Sequence, residues 1–233
     1  MRVGIVVALQ TEADTVLPRA AQGCGATVAI GASLLLRCCG MGPERAADAA
    51  RTLLAEGATA LLSYGTAGAL APELAPGTLL LPERIAYHGT VRAVDASWRQ
   101  RIAARLSPAP VAGLLLTQSR PLVTVADKAD AFRATGAAAV DMESGAVLEV
   151  ADAAGVPGLV LRAVIDGAAT ALPRAAVAGV DAYGRPRFGA MLAALLRRPR
   201  ECVDCVRLGG DLRRARQSLA RAWAQLSPEG LAA

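Results

Sequence analysis

Apolar residues fall in short runs split by polar or glycine-rich stretches, and up to residue 166 these runs alternate with segments of helical spacing. Residues 3–8 read as a buried strand, and Gln10-Thr11-Glu12-Ala13-Asp14 opens a helix with Glu12 in its first turn, where the helix dipole favours an acid. Two apolar runs, 26–30 and 33–39, are separated by Gly31 and predict a hairpin. Gly40-Met41-Gly42-Pro43-Glu44 is a tight turn with proline near a helix start, and residues 44–56 fit that helix. Residues 59–64 form a strand ending in Gly65-Thr66-Ala67-Gly68. Residues 79–81 and 84–87 make one longer strand or a strand pair, followed by a helix over 96–106, a strand over 111–117 and a helix over 125–134. The strand 137–140 runs into Asp141-Met142-Glu143 and the helix 143–154. A last strand, 158–165, is interrupted by Arg162 and closed by Asp166-Gly167.

This alternation predicts a single α/β domain with a mostly parallel, buried sheet. There is no internal repeat, low-complexity linker or domain boundary. After residue 184 the character becomes helical alone, so residues 186–233 form a basic helical C-terminal extension of the same domain. Leu208, Leu212, Ala215, Leu219, Ala222 and Leu226 recur at three-to-four spacing with arginines between them, the pattern of an amphipathic helix.

Composition narrows the classes. The 233 residues are 54% hydrophobic but only 3% aromatic, so the core is aliphatic. The formal charge of +5 comes almost wholly from arginine, since Lys128 is the only lysine, and the excess lies after Arg185, in 197–200 and 213–216. Such a region suits nucleic acid, an anionic membrane or plain solvent. No run approaches the roughly 18 apolar residues a spanning helix needs, and the strand pattern starts at Arg2 without a signal-peptide layout. A cytoplasmic location is expected. Five irregularly spaced cysteines argue against a disulfide framework, and the lone Cys202-x-x-Cys205 pair reads as two small helix residues.

Glu12, Thr66, Glu143 and Asp166 all fall at strand ends or helix starts, which converge on one edge of a parallel sheet. Singly, each reads as a helix-start acid, a turn residue or a cap. Together, three acids with no lysine nearby suit a ligand rich in hydroxyls and basic nitrogens. The glycine turns do not complete a dinucleotide fingerprint, and no P-loop occurs. His88 is the only histidine, so neither a histidine metal cage nor a Ser–His pair elsewhere is available.

In order and spacing, Gly4-Ile5-Val6-Val7-Ala8-Leu9 with Glu12, Gly65-Thr66-Ala67-Gly68, Val140-Asp141-Met142-Glu143, and Arg162-Ala163-Val164-Ile165-Asp166 resemble the nucleoside phosphorylase/nucleosidase superfamily, and most nearly its methylthioadenosine/S-adenosylhomocysteine nucleosidases. Pro173-Arg174-Ala175-Ala176, residues 181–187, residues 195–199 and the arginine-rich helix look more like one branch, the hopanoid-associated phosphorylases, which release adenine from adenosylhopane. The resemblance implies a three-layer α/β/α fold with a mixed, mostly parallel sheet. It implies Asp166 as the acid that protonates adenine N7 and Glu12 as the acid that orients and deprotonates water. Glu143 is implied as acceptor for the ribose hydroxyls, Met142 as packing on the sugar, and Gly65 and Thr66 as part of the site, Thr66 positioning the aspartate. No metal or cofactor is implied; inorganic phosphate enters as co-substrate only in phosphorolysis. Relatives usually associate, so a homo-oligomer with an interface near Tyr87-His88 is expected.

The departures carry information. Asp141 stands where the nucleosidases usually have glutamate, which shortens its reach. The base-flanking segment 119–123 offers Leu122 and Val123 where an aromatic residue often stacks. No arginine occurs at 8–10 or 62–64, where phosphorylases hold phosphate, so hydrolysis is favoured unless Arg45 or Arg162 supplies that charge. A lipid-linked nucleoside gives the C-terminal helix two readings: a peripheral membrane contact with an entrance near Met191, Leu192, Leu195 and Leu196, or an ordinary core-packing helix. Acids at the strand ends, and the absence of aromatics among the arginines, speak against nucleic acid.

Overall fold

A computed structural model describes residues 1–18, 24–173, 175–176, 181–183, 201–226 and 230–231. The first half contains β1 (Val3–Val7), α1 (Gln10–Val16), β2 (Thr27–Ile30), β3 (Leu34–Cys38), α2 (Pro43–Ala55), β4 (Ala60–Ala69), β5 (Leu79–Leu80), β6 (Arg84–Tyr87) and β7 (Thr90–Ala93). There follow α3 (Ala96–Ala103), β8 (Leu114–Thr117), α4 (Val125–Thr135), β9 (Ala139–Asp141), α5 (Ser144–Ala154), β10 (Gly158–Asp166) and α6 (Glu201–Leu226).

The strands join one ten-stranded sheet ordered β2-β3-β1-β4-β9-β8-β6-β7, with β10 and β5 attached beside β4. Parallel pairings join β1 to β3 and β4, β4 to β10, and β8 to β6 and β9. Antiparallel pairing joins β2 to β3, β6 to β7, β5 to β10, and the end of β4 to β9. Side chains alternate across the sheet. Val3, Ile5 and Val7 of β1 enter a core shared with Val16 of α1, Trp98 of α3 and Leu219 of α6. Val6 enters the opposite core with Ala46 and Leu53 of α2 and Val147 of α5. Helices on both faces make this a single α/β domain with a mixed central sheet.

Local chemistry sets the helix ends. Pro43 occupies the first turn of α2 after Gly42, whose φ of 111° favours glycine. Thr124 and Asp127 cap α4 reciprocally: the Thr124 hydroxyl accepts from Asp127 N at 3.0 Å, and Thr124 N donates to Asp127 Oδ2 at 3.3 Å.

Several expectations change. Of the two arrangements expected for 79–87, two separate strands form; what the hydrophobic pattern did not reveal is the turn at His88-Gly89 into β7, where His88 is exposed and stacks on Tyr87. The strand expected from residue 111 starts at Leu114, with Val111 making only an isolated bridge to Leu80. Arg162 does not interrupt β10, because its guanidinium finds buried partners.

The apolar stripe of α6 is core. Ala215, Leu219, Ala222 and Leu226 are buried against α1 and β10, and Tyr64 Oη donates to the Leu219 carbonyl at 2.9 Å. That stripe is therefore not free to enter a membrane, while Arg207, Arg213, Arg214 and Arg221 face outward. Arg185, Met191, Leu192, Leu195, Leu196 and the basic run 197–200 lie outside the described residues. No described helix is long and apolar enough to cross a membrane.

Candidate active site

The ends of β1, β4, β9 and β10 and the turns after them open on one cleft of about 140 Å³, lined by Glu12, Thr66, Glu143 and Asp166 together with Met142 and Leu122. Ligands of α/β sheets gather at such strand ends. Gly65 and Val123 are not among its walls: Gly65 lies behind Glu12, and the Val123 carbonyl accepts from Leu172 N at 2.9 Å.

Glu12, only 2% exposed, is held at both oxygens. Oε2 accepts from Ala8 N at 3.1 Å and Leu9 N at 3.0 Å, and Oε1 accepts from Thr66 N and Thr66 Oγ1, each at 2.8 Å. The resemblance implied Thr66 beside the aspartate; in the structure both its N–H and its hydroxyl go to Glu12. Strand register explains the difference. Thr66 lies opposite Ala163, whereas Asp166 faces Gly68, two residues further along β4 even after a bulge past Val164 draws it one residue nearer. A Cβ on Gly68 would stand 3.2 Å from Asp166 Oδ1, so a bare backbone there leaves room for the carboxyl.

Arg162 organises the floor. Its Nη2 lies 2.7 Å from Asp141 Oδ2 and 3.8 Å from Glu143 Oε2, and it donates to Ser63 Oγ at 2.7 Å and Ser144 Oγ at 3.0 Å. Asp141 also accepts from Thr117 Oγ1 at 2.6 Å and Ser144 N at 3.1 Å, so this shorter acid is held within the protein where it borders the cleft. Glu143 accepts from Gly42 N at 2.9 Å and Met142 N at 3.3 Å. Burial pushes its carboxyl up to about 7, with Arg162 opposing and Asp141 reinforcing the rise.

Asp166 has a cation after all. The Lys128 ammonium, from the first turn of α4, donates to Asp166 Oδ2 and to the carbonyls of Gly167 at 2.9 Å and Thr170 at 2.8 Å. The expected trio of acids without a lysine is thus corrected: Lys128 and Arg162 are buried among them. Burial raises the Asp166 carboxyl, Lys128 opposes this, and Asp211 of α6 adds to it.

Leu9, Met41, Pro121, Leu122, Ile165 and Leu172 give the cleft aliphatic walls, with no aromatic ring among the described residues that line it. Among the described residues no group of three or more His, Cys, Asp or Glu side chains is placed to hold a metal ion. The cleft offers an acid beside a fixed cation at Asp166, and acceptor carboxylates at Glu12 and Glu143.

The profile of one family matches residues 2–197, most of the chain: the phosphorylase superfamily. The chain belongs to that superfamily, and it is an enzyme. Phosphorylase-superfamily likeness extends to solved structures at low identity, which share the fold. The methylthioadenosine/S-adenosylhomocysteine nucleosidase of Neisseria meningitidis, in complex with methylthio-immucillin-A, aligns with TM-score 0.70 and 18% identity over 97% of both chains. The futalosine hydrolase of Helicobacter pylori aligns with TM-score 0.70 and 17% identity, again over 97% of each chain. The S-adenosylhomocysteine nucleosidase of Streptococcus pyogenes, in complex with 5-methylthiotubericidin, gives 0.67 and 20% over 97% and 98%. A search of curated proteins found no match.

Two residues of this phosphorylase-superfamily site, Lys128 and Ser144, had no site role in the sequence, and Arg162 entered only as a possible charge for phosphate. Lys128 stood out in the sequence only as the sole lysine, and that was the available signal. Arg162 within an apolar strand signalled buried acids. Ser144, opening α5, accepts from Arg162 at its hydroxyl oxygen and donates its N–H to Asp141.

Proposed function

We propose that this enzyme hydrolyses the N-glycosidic bond of a 5′-substituted adenosine and releases adenine. Asp166 gives a proton to the purine N7 as the bonding electron pair passes from C1′–N9 to the base. A water oxygen bonds to C1′, and its proton passes to Glu12. Glu143 accepts hydrogen bonds from the ribose hydroxyls, Met142 packs on the sugar, and Leu122 flanks the base.

The four donors around Glu12 carry the choice of water. The N–H groups of Ala8, Leu9 and Thr66 and the Thr66 hydroxyl form an anion nest, and a side-chain carboxylate fills it. An incoming phosphate would need those donors. Arg162 is engaged by Asp141, Ser63 and Ser144, and Arg45 is exposed on α2, so neither supports a phosphate site.

For the 5′ substituent we propose the apolar polycycle of adenosylhopane, on the likeness of the C-terminal segments to the hopanoid-associated branch and the aliphatic cleft walls. A peripheral membrane contact would then use the outward arginines of α6. A second reading, a small soluble substrate such as methylthioadenosine, S-adenosylhomocysteine or futalosine, is favoured by the whole-chain fold likeness to nucleosidases and a futalosine hydrolase. Adenine release from adenosylhopane in mixed micelles, measured beside the three small nucleosides, separates them. A higher kcat/KM for the lipid-linked substrate supports the first reading; turnover of small nucleosides alone overturns it.

A further inference from the structure

Lys128 is 1% exposed, and each of its three ammonium protons has an acceptor: Asp166 Oδ2 and the carbonyls of Gly167 and Thr170. Burying a cation is costly unless it is paired. Packing alone would be served by an apolar side chain of the same length, so the charge calls for another role. The position supplies one. Lys128 follows segment 120–122, one wall of the cleft, and its two carbonyl acceptors precede Leu172, another wall. Leu172 N is itself held by the Val123 carbonyl at 2.9 Å. One ammonium therefore ties Asp166 to both walls that flank it.

We propose that Lys128 is a positioning residue for the proton transfer: it anchors Oδ2 of Asp166, leaves Oδ1 for the departing base, and by its charge sets the pH above which Asp166 has no proton to give. The inference rests on the reading of Asp166 as the acid. The proton travels from Asp166 Oδ1 to the base nitrogen while the glycosidic electron pair moves onto the base. The new carboxylate is stabilised by the ammonium, which donates throughout and gives up no proton. Lys128 of α4 and Asp211 of α6 are the charged groups acting on Asp166, and Asp211 is itself paired with Arg214. With Asp211 and burial unchanged, loss of the Lys128 charge moves the Asp166 carboxyl further up.

The test is the pH profile of kcat/KM for adenine release by the wild type, Lys128→Met, Lys128→Arg and Asp166→Asn. Lys128→Met is expected to move the basic limb up by about one pH unit or more and to lower the plateau roughly 10- to 100-fold. Lys128→Arg is expected to hold the limb near its wild-type place. If the wild type releases no adenine, or Asp166→Asn stays active, the underlying reading fails and takes this one with it. If both behave as expected and the limb of Lys128→Met does not move, the role of Lys128 alone is overturned. Should Lys128→Met not fold, the wild type answers the question. As the only lysine, Lys128 gives a single side-chain signal after 15N-lysine labelling. Adenine binding is expected to shift that signal in the wild type and not in Asp166→Asn; an unchanged wild-type signal overturns the proposal.

Discussion

Thr66 gives both its backbone N–H and its hydroxyl to the same oxygen of Glu12, each at 2.8 Å. With Ala8 N and Leu9 N on the other oxygen, the carboxylate has a donor for each lone pair. The hydroxyl is the one donor of the four that turns without moving backbone, so it can yield its place to the proton of an attacking water. Thr66→Val is expected to lower kcat up to about tenfold, the worth of one hydrogen bond, with KM nearly unchanged, and Thr66→Ser to restore it. A Thr66→Val enzyme with wild-type kcat would remove the hydroxyl from the account.

Removal of the carboxylate itself leaves the donors in place. Glu12→Ala is expected to lose roughly 10²- to 10⁴-fold in hydrolysis, the range for a lost general base, and to gain affinity for small anions. Formate added to Glu12→Ala should return part of the activity. Calorimetry showing no anion binding to the variant would mean that the nest collapses without Glu12.

The raised carboxyl of Glu143 gives a pH dependence with a defined sign. Burial places its proton loss near 7, above the ordinary value of 4.5. Ribose binding needs the carboxylate as acceptor, so KM is expected to fall as pH rises through about 7. Stability runs the other way: the protonated acid is easily buried, and that contribution is fully present below the unfolded-state value and lost as pH rises through the folded one. The melting temperature should therefore decline between the ordinary value of 4.5 and about 7 and level off above it, and Glu143→Gln should flatten the decline. A steeper decline in Glu143→Gln would contradict the assignment.

Arg162 neutralises two buried acids, and its loss strands both. Arg162→Met is expected to cost ~3–5 kcal/mol, as when one partner of a buried pair is removed, read from the urea midpoint near neutral pH. The loss should shrink below about pH 7, where Glu143 takes up its proton. Equal midpoints for variant and wild type would show that the guanidinium is not needed to hold them.

The strand and helix order up to Asp166 was legible because buried parallel strands are nearly continuous apolar runs. The β7 strand was not: Thr90–Ala93 is an edge strand, largely solvent-facing, with Val91 54% exposed. Glu12, Glu143 and Asp166 were readable as strand-end acids, but their partners were not. Lys128 lies 38 residues before Asp166, and only the fold turns a helix lysine into a buried cation. The resemblance set Thr66 beside the aspartate, but in the fold Asp166 faces Gly68, two residues along β4, while Glu12 comes within hydrogen-bond reach of the Thr66 hydroxyl. On α6, spacing found the apolar stripe but could not say whether protein or membrane would cover it.

The central claim is that water, with Glu12 in the anion nest, attacks the glycosidic carbon. The most direct measurement follows base and sugar products from a 5′-substituted adenosine in phosphate-free buffer and again with added phosphate. With water as the nucleophile, free adenine and free sugar form at the same rate in both. Adenine release only with phosphate, together with a sugar 1-phosphate, would contradict it.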